Sequence, residues 1–287
     1  MHKVQAKSIL SSENGMNVYR GCSHGCIYCD ARSDCYQMSH AFEDIEVKEN
    51  APELLEAALK AKRRRCMIGT GAMCDPYLHA ERELMITRRC LEIIARHGFG
   101  ATVLTKSDLV MRDIDLLETI NRTAKAVVQM TLTTADEDLC RIIEPNVCGT
   151  ARRAEVLCEM KKRGIPTVVW FSPLLPFIND TEENVRAIVR ICAEAGVFGI
   201  MSFGMGLTLR SGDREFFFSN LDRHFPGLKG RYISTYSNAY ELPSPNAERL
   251  WRVFDEECGR YGIECIPERV FDYLREFPEP EQLSFFD

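Results

Sequence analysis

Apolar strand-like runs alternate with amphipathic helical runs along most of this chain, and this alternation restricts the fold more than any other feature. The predicted strands cover 66–70, 101–105, 126–133, 167–172 and 197–203. The predicted helices cover 83–96, 113–121, 150–163, 181–195 and 213–224. Continuous apolar strands such as 168–171 are typical of a parallel sheet that is buried on both faces. With a further strand-like run at 17–20, the pattern predicts six βα units.

Three of the thirteen cysteines are clustered in the spacing C-x3-C-x2-C, as Cys22, Cys26 and Cys29. The odd total and the length of the chain argue against a secreted disulfide scaffold. Three thiolates on one loop suit an iron–sulfur cube in which one iron keeps an open position. The alternative is a closed zinc site, although structural zinc sites usually come as two separated pairs of ligands. Its fourth ligand would be one of Cys35, His24 and His40.

Composition and charge narrow the class of protein further. The 287 residues are 45% apolar and 27% charged, which is typical of a globular chain with one large domain or two small ones. The formal charge of −6 gives no excess of positive charge for sequence-independent binding of nucleic acid. The N-terminal residues lack an apolar signal segment, and the apolar stretch 167–178 is interrupted by Ser172, Pro173 and Pro176. We therefore expect a cytoplasmic protein with no membrane partner.

The cysteine loop, with an aromatic residue just before its last cysteine, resembles that of the radical S-adenosylmethionine superfamily. Within this superfamily, the flanking sequence is similar to the spore photoproduct lyase branch, whose members are often called DNA repair photolyases. The similarity is carried by Asn17-Val18-Tyr19-Arg20-Gly21-Cys22, Cys26-Ile27-Tyr28-Cys29-Asp30-Ala31-Arg32, Gly69-Thr70-Gly71, Asp75-Pro76-Tyr77, Glu81, Leu104-Thr105-Lys106-Ser107, Ile143-Glu144-Pro145 and the run 173–180. It therefore extends from the cysteine loop to Asp180.

The resemblance implies an α/β fold, a partial (β/α)6 TIM-type barrel with a C-terminal extension. In such barrels the chemistry gathers at the C-terminal ends of the strands, and the cysteine loop follows the first predicted strand. We predict the barrel over 12–225, an extension that covers its open side over 226–272, and an extended tail over 273–287.

The resemblance also implies a reaction. A [4Fe-4S] cluster would pass one electron to S-adenosylmethionine and generate a 5′-deoxyadenosyl radical, with a small electron donor such as flavodoxin or ferredoxin. We expect a lyase-like enzyme that acts on nucleic acid, most simply in repair or modification of DNA. The alternative is a radical enzyme that modifies a peptide or a small metabolite.

Polar residues at the strand ends are the predicted cofactor contacts. By the resemblance, Asp75 would contact the amino group of the methionine moiety and Lys106 its carboxylate. Asp75 could instead initiate a turn, since Asp-Pro commonly does so. Tyr28 in the cysteine loop and Thr70 at the end of the second strand are further predicted contacts.

The fourth predicted strand carries three polar residues in alternation, Gln129, Thr131 and Thr133. Alternation turns all three toward one face, which in a barrel interior would reach the ribose or the substrate. The alternative is a polar layer without a ligand. We include Gln129 and Thr131 among the predicted cofactor contacts.

Cys74 is the predicted hydrogen-atom donor. In spore photoproduct lyase, a cysteine near the second strand is thought to return a hydrogen atom to the substrate, and the aligned position here is Ala72. Cys74 lies two residues further on and could substitute, or it could serve in packing. The departure at Ala72 argues against repair of the thymine dimer itself.

Basic residues divide into two groups. Runs such as Arg152-Arg153 fall on polar helix faces or near helix C-termini, where they serve solubility and the helix dipole. Arg210, Arg214 and Arg231, near the loops after the sixth strand, are better placed for a substrate. Glu144 could accept from a buried backbone group or from Arg141, so its role stays open.

The C-terminal residues carry a second, separate signal. Two prolines, Pro278 and Pro280, precede a pentad that looks like the motif by which bacterial repair and replication proteins dock on the sliding clamp. The pentad consists of Gln282, Leu283, Ser284, Phe285 and Phe286. Leu283 and the two phenylalanines would be apolar anchors. The alternative is that these aromatic residues cover the open edge of the barrel.

Overall fold

The computed structural model describes residues 1–278, and this part of the chain contains eleven strands and eleven α-helices. The strands are β1 (His2–Val4), β2 (Gly15–Met16), β3 (Tyr19–Arg20), β4 (Glu46–Lys48), β5 (Met67–Thr70), β6 (Gly100–Thr105), β7 (Ala126–Thr131), β8 (Thr167–Trp170), β9 (Gly199–Met201), β10 (Gly206–Thr208) and β11 (Glu241–Pro243). The helices are α1 (Ala51–Ala61), α2 (Glu81–Leu84), α3 (Ile86–His97), α4 (Ile114–Thr123), α5 (Glu137–Ile143), α6 (Thr150–Lys162), α7 (Glu182–Ala195), α8 (Asp213–His224), α9 (Leu228–Tyr236), α10 (Ala247–Tyr261) and α11 (Pro267–Arg275).

Six parallel strands form the central sheet in the order β2-β5-β6-β7-β8-β9. Each strand of this sheet pairs with the next strand of the same sheet after a helical crossover, which is the topology of a partial (β/α)6 barrel. The predicted fold class is therefore confirmed. A second, antiparallel pair joins β10 to β11 beyond the last barrel strand.

The crossover helices form because their apolar residues recur at helical spacing. In α7, Val185, Ile188, Val189 and Cys192 are buried on one face. The helix begins where the hydroxyl of Thr181 accepts the backbone N–H of Asn184, and it ends at a glycine in the left-handed conformation. The predicted bounds 181–195 differ from the observed ones by one residue.

The run 17–20 was expected to be the first strand of the barrel, and this prediction is wrong. The edge strand of the barrel is the two-residue β2, which pairs with β5. The next residues form β3, which runs antiparallel to β4 in a separate sheet of order β1-β4-β3. Tyr19 is buried there, and its hydroxyl donates to the buried carboxylate of Glu81. The chain thus leaves the barrel before the cysteines, and the cysteine loop lies between β3 and β4 along the chain.

The opposite edge of the barrel is met by residues from the C-terminal part of the chain. Glu264 forms a parallel bridge to Gly199 of β9, and its carbonyl accepts the N–H of Ile200 at 2.8 Å. The following helix, α11, buries Val270 and Leu274 in a cluster with residues of β7, β8 and β9. These contacts cover backbone groups and apolar side chains that an open barrel would expose.

Part of the predicted tail is helical, and part of it lies outside the described residues. Helix α11 continues to Arg275, so the first three residues of the predicted tail 273–287 are helical. The predicted clamp motif, residues 282–286, lies outside the described residues. None of the helices within residues 1–278 combines the length and apolar character that crossing a membrane requires.

Candidate active site

The three clustered cysteines line one cavity of about 300 Å³ at the C-terminal ends of the barrel strands. Four of the predicted cofactor contacts share this cavity, namely Tyr28, Asp75, Lys106 and Thr131. Cys74 also lines it. The structure therefore brings together residues that are separated by more than a hundred positions in the sequence, at the place where the barrel architecture favours chemistry.

The cysteine loop is held by backbone contacts on both sides. Cys22 donates its N–H to the carbonyl of Phe42 at 3.0 Å, and Ile27 donates to the carbonyl of Ile143 at 3.0 Å. Before the first cysteine, Gly21 has a φ of +83°, and a Cβ there would lie 2.4 Å from the Phe42 carbonyl oxygen. Glycine is needed at this position because both the conformation and the space exclude a side chain.

The segment after α5 forms hydrogen bonds with the cysteine loop. The N–H of Asn146 donates to the carbonyl of His24 at 3.1 Å, and its side-chain amide donates to the carbonyl of Ser23 at 3.0 Å. Two residues before Asn146, the carboxylate of Glu144 accepts the hydroxyl of Tyr28. The run Ile143-Glu144-Pro145 that carries part of the resemblance is thus the platform of the cysteine loop.

Glu144 forms an ion pair with Arg153, and both side chains are fully buried. The guanidinium lies 2.5 Å from Oε2 of Glu144 and also donates to the carbonyls of Thr131 and Cys148. Burial alone would raise the pKa of Glu144, but the charges of Arg153 and Lys106 outweigh it and hold that pKa below its ordinary value. Burial, reinforced by the Glu144 charge, raises the pKa of Tyr28, so the phenol stays a neutral donor.

The prediction that the pair Arg152-Arg153 lies on a polar helix face is wrong for Arg153. Arg152 is half exposed and binds Asp108, as expected of a surface residue. Arg153 instead points into the protein, because Glu144 and two backbone carbonyls satisfy its donors there. Glu144 and Arg153 are the positioning residues that sequence reasoning missed, and the resemblance at 143–145 was the signal for the first of them.

Lys106 brings positive charge into the cavity. Burial lowers the pKa of its amine, but nearby Cys26, Glu144 and Cys29 outweigh that effect and raise it, so the ammonium form is favoured. Within residues 1–278, no carboxylate oxygen lies within 4.0 Å of this ammonium. Its charge is therefore available to an anionic group in the cavity, as the predicted contact with a methionine carboxylate requires.

Asp75 is engaged by several donors of the protein. Oδ1 accepts from the hydroxyl of Thr105 at 2.7 Å and from the N–H of Tyr77 at 2.8 Å. Oδ2 accepts from the N–H of Lys106 at 2.8 Å and lies 3.4 Å from Nδ1 of His24. The carboxylate thus joins the loop after β5 to the end of β6 and to the cysteine loop. The bond to the N–H of Tyr77 agrees with a turn-forming role for Asp75. Its contact with the amino group of the methionine moiety stays a prediction.

Two predicted contacts lie elsewhere. Thr70 and Gln129 line a neighbouring cavity of about 370 Å³, which is bounded on another side by α11. The side chain of Gln129 accepts the indole N–H of Trp170 at 2.8 Å, and Trp170 lines both cavities. The polar face of β7 is therefore divided, with Thr131 beside the cysteines and Gln129 behind the indole.

The donor set fits a centre that is larger than a single zinc ion. Among residues 1–278, one group of three His, Cys, Asp or Glu residues has ligand atoms that all lie within 4.8 Å of one another. This group is His2, His40 and Asp44, and it contains none of the three cysteines. At least one pair of the Cys22, Cys26 and Cys29 sulfurs is therefore farther apart than 4.8 Å. A tetrahedral zinc ion with Zn–S bonds of about 2.3 Å would hold its sulfurs about 3.8 Å apart.

Of the three alternative fourth ligands for zinc, His24 lines the cavity, whereas Cys35 and His40 lie in other contacts. Cys35 is exposed, and its sulfur accepts from Arg210 at 3.2 Å. The imidazole of His40 lies 3.7 Å from Glu46, and neither Cys35 nor His40 lines the cavity. Cys74 does line it, and its thiol donates to the carbonyl of Gly21 at 2.8 Å. Neighbouring Cys74 and His24 hold the pKa of Cys22 well below its ordinary value, which favours the thiolate form of a metal ligand.

Comparison with known proteins agrees with this geometry. Residues 16–186, more than half of the chain, match the family described as the Radical SAM superfamily. The chain belongs to this superfamily, whose members are radical enzymes that use S-adenosylmethionine and an iron–sulfur cluster. It is 29% identical over 261 residues to an uncharacterized protein of Mycobacterium tuberculosis, covering 87% of this chain and 75% of the relative. It is 31% identical over 188 residues to an uncharacterized protein of Methanocaldococcus jannaschii, and this match covers 63% of this chain and 70% of the relative.

Among solved structures, the fold is like that of spore photoproduct lyase. The complex of that enzyme with a dinucleoside spore photoproduct superposes with a TM-score of 0.67 and 11% identity, covering 92% of this chain and 80% of the lyase. A variant of the lyase with bound AdoMet and the same dinucleoside gives a TM-score of 0.60 and 11% identity, covering 87% and 74%. At such identities the likeness describes the fold alone, which is the partial barrel predicted from the sequence.

The buried ion pair gives a stability prediction. Changing Glu144 to Gln removes the charge that compensates Arg153, so we expect the free energy of unfolding to fall by about 3–5 kcal/mol. The matched control is Asp138→Asn, which removes an acid of the same helix region whose partner Arg141 is exposed, and this should cost less than about 1 kcal/mol. Denaturant unfolding measures both. Equal small losses would contradict the central position of Glu144.

Proposed function

We propose that this chain is a radical S-adenosylmethionine enzyme whose [4Fe-4S] cluster is bound by Cys22, Cys26 and Cys29. One observation carries the proposal: the three thiols and the Lys106 ammonium line the same cavity at the C-terminal ends of the barrel strands. When bound, the reduced cluster supplies the electron that cleaves S-adenosylmethionine to methionine and a 5′-deoxyadenosyl radical. We further propose that the reaction is lyase-like and that its substrate is nucleic acid, in repair or modification of DNA.

The residues of the chain position the cofactors and exclude water. Lys106 binds the carboxylate of the methionine moiety as an ion pair inside a cavity with restricted access to solvent, where such a pair is stronger than in water. Asp75 fixes the backbone N–H of Lys106 and so the direction of its side chain. Tyr28 forms one wall, and its bond to Glu144 prevents the ring from moving into the cavity. Such fixed geometry is the contribution that a protein makes to cofactor chemistry.

Two arginines that lie over aromatic rings, one of them beside the cavity-lining Tyr36, support nucleic acid as the substrate. Arg210, 37% exposed, lies 5.0 Å from the ring centroid of Tyr240 and 6.0 Å from that of Tyr36. Arg231 lies 3.8 Å above the ring of Phe177. Arginine and aromatic side chains together bind phosphates and stack on bases. The similar fold of the lyase that was solved with a dinucleoside photoproduct adds to this support.

Arg214 differs from the other two arginines that the sequence analysis selected. Its guanidinium donates to the carbonyls of Leu209 and Ala239, so it holds two loops together. Asp30 lies 3.7 Å from Arg210 and reduces the positive charge there. This acid favours the alternative of a peptide or small metabolite, which therefore remains the second candidate for the substrate.

We assign the return of a hydrogen atom to Cys74, the cysteine beside the three ligands that also lines the cavity. In that step the S–H bond of Cys74 breaks and a C–H bond forms on the product. The sulfur radical is then reduced to the thiol by one proton and one electron from the small electron donor, so that one 5′-deoxyadenosine is released in each turnover. Cys74 is buried, which keeps the sulfur radical away from solvent.

The proposal is tested with anaerobically reconstituted protein, dithionite and S-adenosylmethionine, by measuring bound iron and 5′-deoxyadenosine with and without DNA. Alanine at Cys22, Cys26 or Cys29 should abolish both, because each loss removes one cluster ligand. Cys35→Ala and Cys74→Ser should retain iron and cleavage. DNA should raise the rate at least about 10-fold, which corresponds to about 1.4 kcal/mol in the barrier.

Each other outcome changes a different part of the proposal. Loss of iron in Cys35→Ala or Cys74→Ser would show a fourth thiolate ligand and no open iron. Cleavage that DNA does not stimulate would contradict the nucleic-acid substrate and favour the peptide or metabolite. An intact cluster without cleavage of S-adenosylmethionine would contradict the reaction itself.

We also propose docking on a bacterial sliding clamp through Gln282, Leu283, Ser284, Phe285 and Phe286, and reduction by flavodoxin or ferredoxin. The double change Leu283→Ala with Phe285→Ala should abolish binding of the full-length protein to purified clamp, because it removes two of three apolar anchors. Cleavage of S-adenosylmethionine should be unchanged in this variant. Reduced cleavage would instead indicate that the tail covers the barrel, and unchanged clamp binding would contradict the motif.

A further inference from the structure

A second group of ligand-type side chains lies outside the cysteine cavity. It consists of His2 on β1 and of His40 and Asp44, which belong to the loop that precedes β4. One ligand atom from each residue lies within 4.8 Å of the other two, and all three side chains are half-buried. The two imidazole rings meet edge to face, with their centroids 4.7 Å apart.

The contacts of the two ring nitrogens of His40 suit a metal ligand. Its Nδ1 lies 3.1 Å from the carbonyl of Ala41, so the proton of the neutral ring is held at Nδ1. Its Nε2 therefore keeps a lone pair, and this atom is buried and has no hydrogen-bond partner among residues 1–278. A histidine that binds a metal typically donates its other ring N–H to a backbone carbonyl or carboxylate in this way.

The other two residues have compatible spacing. Nδ1 of His2 lies 3.0 Å from Oδ2 of Asp44. A tetrahedral zinc ion, with bonds of about 2.0–2.1 Å to nitrogen and oxygen, separates its ligand atoms by about 3.3 Å. Glu46 lies 3.7 Å from Nε2 of His40 and could complete the coordination with its carboxylate.

We propose that His2, His40 and Asp44 bind a divalent first-row transition metal, with Zn²⁺ as the expected ion and Glu46 or water as the fourth ligand. Two imidazoles and a carboxylate suit such an ion, whereas Mg²⁺ and Ca²⁺ prefer oxygen ligands alone. The ammonium of Met1 lies 2.6 Å from Oδ1 of Asp44, which leaves Oδ2 for the ion. Pairing of Asp44 with Met1 and His2 alone would leave Nε2 of His40 with no hydrogen bond among residues 1–278 and with the Glu46 carboxylate 3.7 Å away.

The position of this site suggests a structural role. His40 and Asp44 flank Phe42, whose carbonyl accepts the N–H of Cys22 at 3.0 Å. The ring of Phe42 lies 4.4 Å from the guanidinium of Arg32, just after the cysteines. An ion at His40 and Asp44 would fix this loop to β1 and thereby hold the outer side of the cysteine loop. The inference does not depend on the proposed reaction.

The test uses cluster-loaded full-length protein that begins at Met1, dialysed against zinc and then analysed for metal content and by X-ray absorption at the zinc edge. We expect one zinc per chain with nitrogen and oxygen ligands at about 2.0–2.1 Å and no sulfur. His40→Ala and Asp44→Asn should each weaken zinc binding at least about 100-fold, since even the loss of a residue that only hydrogen-bonds a ligand costs about 10–100-fold. His224→Ala, a change near the end of α8, is the matched control and should bind as the parent does.

Several outcomes would overturn the inference. Sulfur at about 2.3 Å would place the zinc at the cysteines. Unchanged affinity in both His40→Ala and Asp44→Asn, or equal loss in His224→Ala, would exclude the three-residue site. The circular-dichroism spectrum and the midpoint of thermal unfolding show whether each variant has folded, so a misfolded His40→Ala cannot be taken for a loss of ligand, and Asp44→Asn then decides.

Discussion

The buried ion pair of Glu144 and Arg153 is the interaction on which the site depends. Removing two charges from water costs several kcal/mol per ion, and only close pairing with further hydrogen bonds offsets that cost. Here the carboxylate also accepts from Tyr28, and the guanidinium donates to the carbonyl of Thr131 at the end of β7. One end of the pair thus contacts the cysteine loop and the other contacts the barrel. The position of the thiols relative to the strand ends follows from this connection.

Asp75 makes a second connection of the same kind. It joins the loop after β5 to the end of β6 and, through His24, to the cysteine loop. Lys106 brings a positive charge close to Glu144, Cys26 and Cys29, and this charge is favourable to the buried carboxylate and to thiolate forms of the two cysteines. Charges of both signs therefore balance around the cavity. This balance allows a group of anionic ligands to be buried in a place where solvent cannot screen them.

Much of the fold could be predicted from the sequence because burial leaves a periodic pattern in strands and helices. The pattern could not assign the run 17–20 correctly, since alternation reports which residues are buried but not which strand they pair with. Arg153 was misplaced for a similar reason. It is adjacent to the exposed Arg152, and its burial depends on Glu144, which tertiary structure brings beside it. Gln129 and Thr131 share a face as predicted, but the indole of Trp170 separates their cavities.

The most direct test of the account is Mössbauer spectroscopy of the iron-reconstituted protein before and after addition of S-adenosylmethionine. Cys22, Cys26 and Cys29 leave one of four irons without a protein thiolate, so the spectrum of that one iron should change while the other three stay the same. The same change should occur in Cys74→Ser. A spectrum that S-adenosylmethionine leaves unchanged, or that changes only after Cys74 is replaced, would contradict the claim that the cavity holds an open iron.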